Sequence, residues 1–435
     1  MAVLNTGLAT PATGFTIDQS LRFNDDDTAY LSKTFAGAGN RKTWTWSAWV
    51  KPAVSSGSDY VFFAKSGNND NEYGGIELGE SLKINLYNAS AVTADPKLRD
   101  PSAWYHLMGV LDTPQASTSN RIKMYINGTQ ASLTNGSSYP DQDEDLSINN
   151  NCPHSISSRY AHSSSQYYDG YMAEVHFIDG TALTPTSFGE TDSTYGHWKP
   201  KKVAGLTYGT NGFYLDFADA ADMGDDESGE GNDWAENNII ASDQMLDTPT
   251  NNFATLNPLQ LDPGPPTFAE GNLKVTTPVS GTGNCVSTMG ATSGKWYAEV
   301  YYVSYSSLLR SCVGITGDSG GSITKNTNIG SLSSSLDVGY FAPDGDKYVG
   351  GSETSYGATW APDDIIGIAL NIDDDEVTFY KNNASQGAIS FASGGIYQFM
   401  LGDVSSGGGG VLVANFGQDS SFAGYKTSGS AAASD

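Results

Sequence analysis

Apolar and polar side chains alternate with a period of two in short runs closed by glycine, asparagine or aspartate. This limits the chain more than any other feature. Trp44-Thr45-Trp46-Ser47-Ala48-Trp49-Val50 is one such run. Successive side chains of an extended strand point to opposite faces, so Trp44 and Trp46 share one face and Trp49 takes the other. The period returns in Ile365-Ile366-Gly367-Ile368-Ala369-Leu370-Asn371-Ile372. There Asp373, Asp374 and Asp375 lead straight into Glu376-Val377-Thr378-Phe379-Tyr380. Two strands about a short acidic turn make a hairpin. Further strands are expected at residues 60–64, 76–78, 82–87, 104–111, 122–126 and 171–177, with Asn127-Gly128 and Asp179-Gly180 as turns. Strand follows strand, which predicts an all-β fold of two β-sandwich (jelly-roll-like) domains in tandem rather than βαβ units.

Composition agrees and removes several functions. The 50 glycines among 435 residues, with 11% aromatic residues, suit tight turns between strands. There are 49 acidic and 22 basic residues, for a net charge of −27. No basic stripe exists to displace counterions from phosphates, so nucleic acid is not an expected partner. No apolar run approaches the roughly 20 residues of a spanning helix, and an acidic surface is repelled by anionic lipid heads. The acidity lies mainly in the later part. Residues 203–435 hold 28 acidic and 7 basic residues, against 21 and 15 before them. Residues 1–7 have neither the basic flank nor the apolar stretch of a secretion signal, so synthesis in a cytoplasm without a leader is expected. Cys152, Cys285 and Cys312 are too few and too far apart for a disulfide framework or a zinc cluster, and are expected as reduced, partly buried thiols.

Asp262-Pro263-Gly264-Pro265-Pro266 cannot lie inside a sheet and places a boundary near 260–270. The expected organisation is a docking segment at 1–15, a first sandwich at 16–200 and a linker at 201–272. In the linker, residues 213–217 form a completing strand. A second sandwich follows at 273–422, with a flexible tail at 423–435.

Ser20-Leu21-Arg22-Phe23-Asn24, Tyr30-Leu31, Trp46-Ser47-Ala48-Trp49-Val50, Trp104-Tyr105-His106-Leu107, Ile122 to Gly128 and the stretch from Asp169 to Gly180 appear in that order. With Leu183-Thr184-Pro185, they resemble the strands of concanavalin A-like, laminin-G-type domains over about residues 15–200. Gly294-Lys295-Trp296-Tyr297-Ala298-Glu299-Val300, Val313-Gly314-Ile315, Val338-Gly339-Tyr340, the acidic hairpin and Ala414-Asn415-Phe416-Gly417-Gln418 resemble a SPRY domain over about 275–420. Ala361-Pro362-Asp363-Asp364 departs from it, because SPRY domains usually carry a Gly-Asp step there. The tandem, with Gly231-Asn232-Asp233-Trp234 and residues 247–259, resembles surface proteins of tailed bacteriophages, of the tail-fibre or capsid-decoration type. That resemblance implies a non-enzymatic virion structural protein on the particle surface, assembled in the host cytoplasm as a homo-oligomer. Its partners would be other virion proteins and host-surface carbohydrate, with no membrane insertion. It also allows calcium, which laminin-G-type domains often bind through loop acids.

The alternative is a carbohydrate-active enzyme, a glycoside hydrolase on a jelly-roll scaffold. Retaining hydrolysis needs two carboxyl groups about 5–5.5 Å apart. One strand can supply them as Glu-x-Asp-x-Glu, and no such run exists. Asp141-Gln142-Asp143-Glu144-Asp145 follows Tyr139-Pro140 and reads as a loop. No Gly-x-Ser-x-Gly elbow precedes a helical pattern, and His106 and His176 read as packed strand residues. Cys152-Pro153-His154 is short of a four-ligand metal set. No catalytic and no metal-binding residue is therefore assigned. Calcium is the cation that the oxygen-rich loops at Asp141, Asp143 and Asp145, at residues 225–233 and at Asp344 and Asp346 would take. Candidate ligand contacts are rings that stack on sugars and amides or acids that bind hydroxyls. In the first sandwich these are Asn69, Asp70, Tyr73, Tyr160, Tyr167 and Tyr168. In the second they are Tyr348, Tyr356 and Trp360, where the SPRY resemblance implies partner-gripping loops.

Overall fold

The alternation resolves into paired antiparallel sheets. The computed structural model describes residues 2–3, 14–53, 59–65, 73–86, 89–135, 139–159, 166–259, 264–317, 329, 336–403 and 408–426. Three single 3-10 turns are the only helical elements among the described residues. The chain forms two compact units, residues 12–252 and residues 253–435. The short opening strand Ala2–Val3 joins the second by pairing in parallel with Met289–Gly290.

In the first unit one sheet runs Thr129–Gln130, Ile122–Ile126, Tyr105–Asp112, Thr43–Pro52, Gly170–Asp179, Ser20–Phe23 and Gln244–Met245. The far edge of Gly170–Asp179 is shared. Ser20–Phe23 pairs with residues 170–172 and Phe213–Leu215 with residues 175–177. The ladder to Thr43–Pro52 bulges between Ala173 and His176, where Glu174 takes a left-handed φ of 51°. The facing sheet runs Leu133–Asn135, Ala89–Ala94, Leu82–Leu86, Tyr73–Leu78, Asp59–Lys65, Pro153–Ile156, Tyr30–Thr34 and Ala235–Asn237. Trp44, Trp46, Phe62, Phe177 and Phe213 fill the space between the sheets. Trp49 lies in a separate cluster with Trp104 and Tyr171. Period-2 alternation divides the three tryptophans in this way.

Residues 201–252 are built into this unit. Phe213–Leu215, Ala235–Asn237 and Gln244–Met245 each extend a sheet edge. Trp234 is buried edge-on to Phe213, with ring centroids 4.8 Å apart. Two buried ion pairs complete the attachment, Arg22 Nη2 to Asp243 Oδ1 at 2.9 Å and Lys51 Nζ to Asp247 Oδ2 at 2.7 Å.

The second unit repeats the architecture. Its larger sheet runs Thr267–Ala269, Lys274–Thr276, Gly410–Asn415, Lys295–Tyr305, Ile365–Asn371, Glu376–Lys381 and Ala384–Ser390. The other runs Cys285–Val286, Gln398–Asp403, Ser311–Thr316, Asp337–Phe341, Asp346–Val349 and Ser352–Ser355. The acidic hairpin closes in the expected register, with Asn371 opposite Glu376 and Asp375 at φ 56°. At the departure from the SPRY pattern, Asp363 itself adopts φ 77°, a conformation usually left to glycine. Its carboxylate accepts the Tyr301 hydroxyl at 2.8 Å, and Asp364 Oδ2 accepts the Ala361 N–H at 2.9 Å. Side-chain hydrogen bonds thus hold the turn without a glycine.

Trp234→Ala removes a ring wedged among Phe35, Phe62 and Phe213. Denaturant unfolding followed by tryptophan fluorescence should show the first unit destabilised by about 3–5 kcal/mol, with the transition of the second unit unmoved.

Candidate functional site

The outward face of the Tyr73–Leu78 sheet gathers aromatic, charged and amide side chains. Alternation turns Ile76 and Leu78 into the core and leaves Tyr73, Gly75 and Glu77 on the other face. A bulge between Tyr60 and Phe62 on the neighbouring strand lets Tyr60 and Phe63, three residues apart, share that face. Tyr60 is opposite Glu77, Phe63 is opposite Gly75, and on the other side Asn85 is opposite Gly75 and Lys83 opposite Glu77. The Tyr60 ring lies over Gly75, where a Cβ would come within 2.5 Å of it. Glycine is required there by space, not by backbone angle.

Tyr60, Phe63 and Glu77 form a buried floor. Tyr73, Lys83, Asn85 and Arg159 form a half-exposed margin. Tyr60 meets Phe63 edge-on at 5.1 Å, and Phe63 stacks on Tyr73 at 5.9 Å. The Arg159 guanidinium lies 4.8 Å from the Tyr73 ring centre and 5.6 Å from that of Tyr60, within cation–π range. Asn85 Nδ2 donates to both Glu77 Oε1 and the Tyr60 hydroxyl. Asp59 pairs with core-facing Leu78 and so lies on the opposite face from Tyr60. Burial, then the nearby Asp25 and Glu77, push its carboxyl up to about 6.

The expected contacts distribute unevenly. Tyr73 belongs to this face. Half-exposed Tyr167 packs on Tyr30 with ring centroids 6.0 Å apart, and its neighbour Gln166 accepts from Arg159 Nη1 at 3.2 Å. Asn69, Asp70 and Tyr160 lie outside the described residues. Tyr168 is a core residue instead, 2% exposed, with its hydroxyl donating to the Lys51 carbonyl at 2.9 Å. In the second unit Trp360 is likewise enclosed, 1% exposed between Tyr302 and Tyr340. Tyr348 and Tyr356 remain half-exposed, the first against Phe341 and the second under the Lys347 ammonium. Glycine-rich loops look solvent-exposed in sequence, yet they fold their rings inward where strand ends need covering. Sequence reasoning passed over Tyr60, Glu77 and Asn85, and reached Arg159 only as part of the loop that begins Arg159-Tyr160. The alternation Tyr73-x-Gly75-x-Glu77 was the available signal, while Arg159 arrives from a distant strand end.

No activated nucleophile occurs among the described residues that were candidates for one. Ser47 Oγ is 2.8 Å from His106 Nε2, but the Trp198 indole N–H donates to His106 Nδ1 at 3.1 Å. An indole can only donate, so the neutral ring carries its proton on Nε2 and gives it to the serine. Burial pushes His106 down to about 3, which keeps it neutral. His154 is similarly committed. Its Nε2 accepts the Asn149 N–H and its Nδ1 donates to the Cys152 carbonyl, while burial raises the Cys152 thiol to about 12. His176 stacks on Tyr214 at 4.3 Å, and burial drives it down to about 3. Its 3.9 Å approach to Glu174 is therefore not an ion pair at neutral pH.

Of the three acidic loops, one gathers three carboxylates. Asp344, Asp346 and Glu353 bring ligand oxygens within 4.8 Å of one another. Asp226 in the 225–233 loop instead accepts backbone N–H groups of Tyr214, Ser228 and Asn232. Glu144 accepts the Asp141 N–H in the same manner.

Residues 24–187 match the concanavalin A-like lectin/glucanases superfamily, and residues 301–401 match the SPRY domain. The chain therefore carries these two domain types in tandem. No curated protein sequence matches it. Among solved structures it is similar to the SPRY domain of human HERC1, at 19% identity over 33% of this chain and 89% of that one, with a TM-score of 0.29. It is also similar to the native heptameric SAP-like pentraxin from Limulus polyphemus, at 16% identity over 39% and 78%, TM-score 0.31. A third is the TRIM65 PSpry domain, at 12% identity over 38% and 90%, TM-score 0.29.

The bulge residue Glu174 gives a pH prediction. Burial raises its carboxyl from 4.5 to about 7, against the opposing hydrogen bond from Tyr214. The folded state thus binds the proton more tightly than the unfolded chain. Stability from this group is full below pH 4.5 and falls as pH rises towards 7. Glu174→Gln should flatten that part of the stability–pH curve and raise stability at pH 8 by about 2 kcal/mol, read from denaturant melts across pH.

Proposed function

We propose that the chain is a non-enzymatic binding and structural protein whose first sandwich holds carbohydrate on the Tyr73–Arg159 face. The observation that carries this reading is the convergence on one sheet face of three packed rings, a guanidinium and a bridged Glu77–Asn85 pair. Half-exposed Tyr73, braced from below by buried Phe63 and Tyr60, presents apolar ring area to the C–H face of a sugar, and the polar groups of the margin set its orientation through hydroxyls. The committed tautomers of His106 and His154 support binding over nucleophilic chemistry.

The setting we propose is the surface of a tailed-bacteriophage particle, built in the host cytoplasm as a homo-oligomer among other virion proteins. There the ligand is a host-surface glycan or a neighbouring subunit. The resemblance of the tandem to such surface proteins supports this. So does a net charge of −27, which keeps copies soluble and mutually repelling. In the second unit, Asp344, Asp346 and Glu353 are the calcium ligands of this reading, with water completing the shell. Calcium titration should raise the melting temperature of the wild type and leave Asp346→Asn unmoved. Equal shifts for both proteins would remove the ion from this site.

A second reading, glycoside hydrolysis, is favoured by one observation: Asp59, raised to about 6, lies in the field of Glu77. A general acid needs a carboxyl raised above its ordinary value. Release of reducing sugar from bacterial or algal polysaccharide that stops in Asp59→Asn would replace the binding-only account.

The binding reading itself is tested with the full chain on a glycan array. Tyr73→Ala and Arg159→Ala should each weaken binding of the best glycan about tenfold or more, roughly 1.4 kcal/mol, with melting temperatures near the wild type. Unchanged affinity in both variants would move the site elsewhere.

A further inference from the structure

An amine, an amide and a carboxylate meet in the first unit, away from the proposed sugar face. Lys51 lies near the end of Thr43–Pro52, and its side chain is 1% exposed. Its Nζ is 2.7 Å from Asp247 Oδ2 and 2.9 Å from Asn252 Oδ1. Asp247 is wholly buried, and its other carboxylate oxygen accepts the Trp104 indole N–H at 2.9 Å. Asn252 Nδ2 donates to the Ser102 carbonyl at 2.9 Å, which fixes the amide with its oxygen towards the lysine. Trp104 and Tyr171, two members of one buried cluster, border the site, and the ammonium lies 5.8 Å from the Tyr171 ring centre. A carbonyl bond is about 1.23 Å, so Asn252 Cγ is no more than about 4.1 Å from Nζ. That is close to the separation of about 3–3.5 Å from which intramolecular attack proceeds.

We propose that Lys51 and Asn252 join in an intramolecular isopeptide bond, with Asp247 as the proton carrier. Asp247 takes a proton from the Lys51 ammonium, and the freed amine pair attacks Asn252 Cγ. Asp247 returns that proton to Nδ2 and takes the second proton from the attacking nitrogen; the tetrahedral adduct collapses with Nδ2 lost as ammonia, which carries the remaining proton away from Asp247 as ammonium. One C–N bond forms and one breaks, ammonia is the only other product, and no oxidant or reductant is consumed. Burial favours the neutral amine that the attack needs and pulls Lys51 below its ordinary value. Asn252 is an exposed residue, which gives ammonia a way out. A buried ammonium has three donors to place, and giving one to the Asn252 amide oxygen brings the amide carbon within reach of the nitrogen. The link ties the last residue of the first unit to a central strand, so tension on the chain beyond it passes directly into the sheet.

The test is the intact mass of the denatured full chain, followed by proteolytic mapping. The mass should be one ammonia below that of the sequence, after allowance for the initiator methionine, and one peptide should join the segments holding Lys51 and Asn252. Asn252→Ala, a change at an exposed position, should restore the full mass and the separate peptides while leaving the fold intact by circular dichroism. Asp247→Asn should do the same if it folds. A wild-type mass equal to the sequence would overturn the proposal. So would ammonia loss that maps to an Asn-Gly succinimide, or loss of water joining Lys51 to Asp247.

Discussion

Asp247 carries a negative charge into the interior of the first unit, and the attachment of a whole segment follows from satisfying it. One carboxylate oxygen takes Lys51 and the other takes the Trp104 indole, while the backbone carbonyl accepts the Ser20 hydroxyl. A buried ion costs several kcal/mol to desolvate, and stripping one partner from such a pair costs about 3–5 kcal/mol. The groups must therefore arrive together. Arg22 with Asp243 makes the same demand four residues earlier. Between them the two pairs lay Gln244–Met245 along Ser20–Phe23 and bring residues 235–252 against both sheets. A segment that reads as a linker becomes the closing edge of a sandwich.

That closure leaves the facing sheet free to present side chains outward. Its inner face is given to Ile76, Leu78, Leu82 and Ile84, and its outer face to Tyr73, Glu77, Lys83 and Asn85. The bulge at Val61 adds Tyr60 and Phe63 to the outer set, and Gly75 leaves the space in which Tyr60 lies flat. The buried histidines lie elsewhere in the unit. His106 and His154 spend both ring nitrogens on neighbours, and His176 stacks on Tyr214 with its Nδ1 against the Tyr208 hydroxyl. What the outer face offers at its surface is a ring, amides and charge.

Much of this was legible in sequence because a period of two is a local property. Trp44 and Trp46 against Trp49, the hairpin around Asp373, Asp374 and Asp375, and Phe213–Leu215 as an added strand all follow from neighbours a few residues apart. The same reading gives the two sandwich domains. What was not legible is which distant segments meet. Lys51 and Asp247 are 196 residues apart, and Arg159 reaches Tyr73 across 86 positions. Tyr168 and Trp360 show a second reason. An aromatic residue in a polar loop has the same composition whether it faces water or caps a core, and only the packed neighbours decide. Asp363 is a third case, since a left-handed aspartate is indistinguishable from an ordinary one until its turn closes.

Carbohydrate recognition on one face of the first sandwich is the central claim, and hydrogen exchange with bound ligand tests it most directly. The full chain saturated with the tightest glycan from the array should show slowed exchange in Asp59–Lys65 and Tyr73–Leu78, with the Ile365–Asn371 and Glu376–Lys381 hairpin unchanged. Slowing confined to the second unit, or none in the first at saturating ligand, would contradict the account.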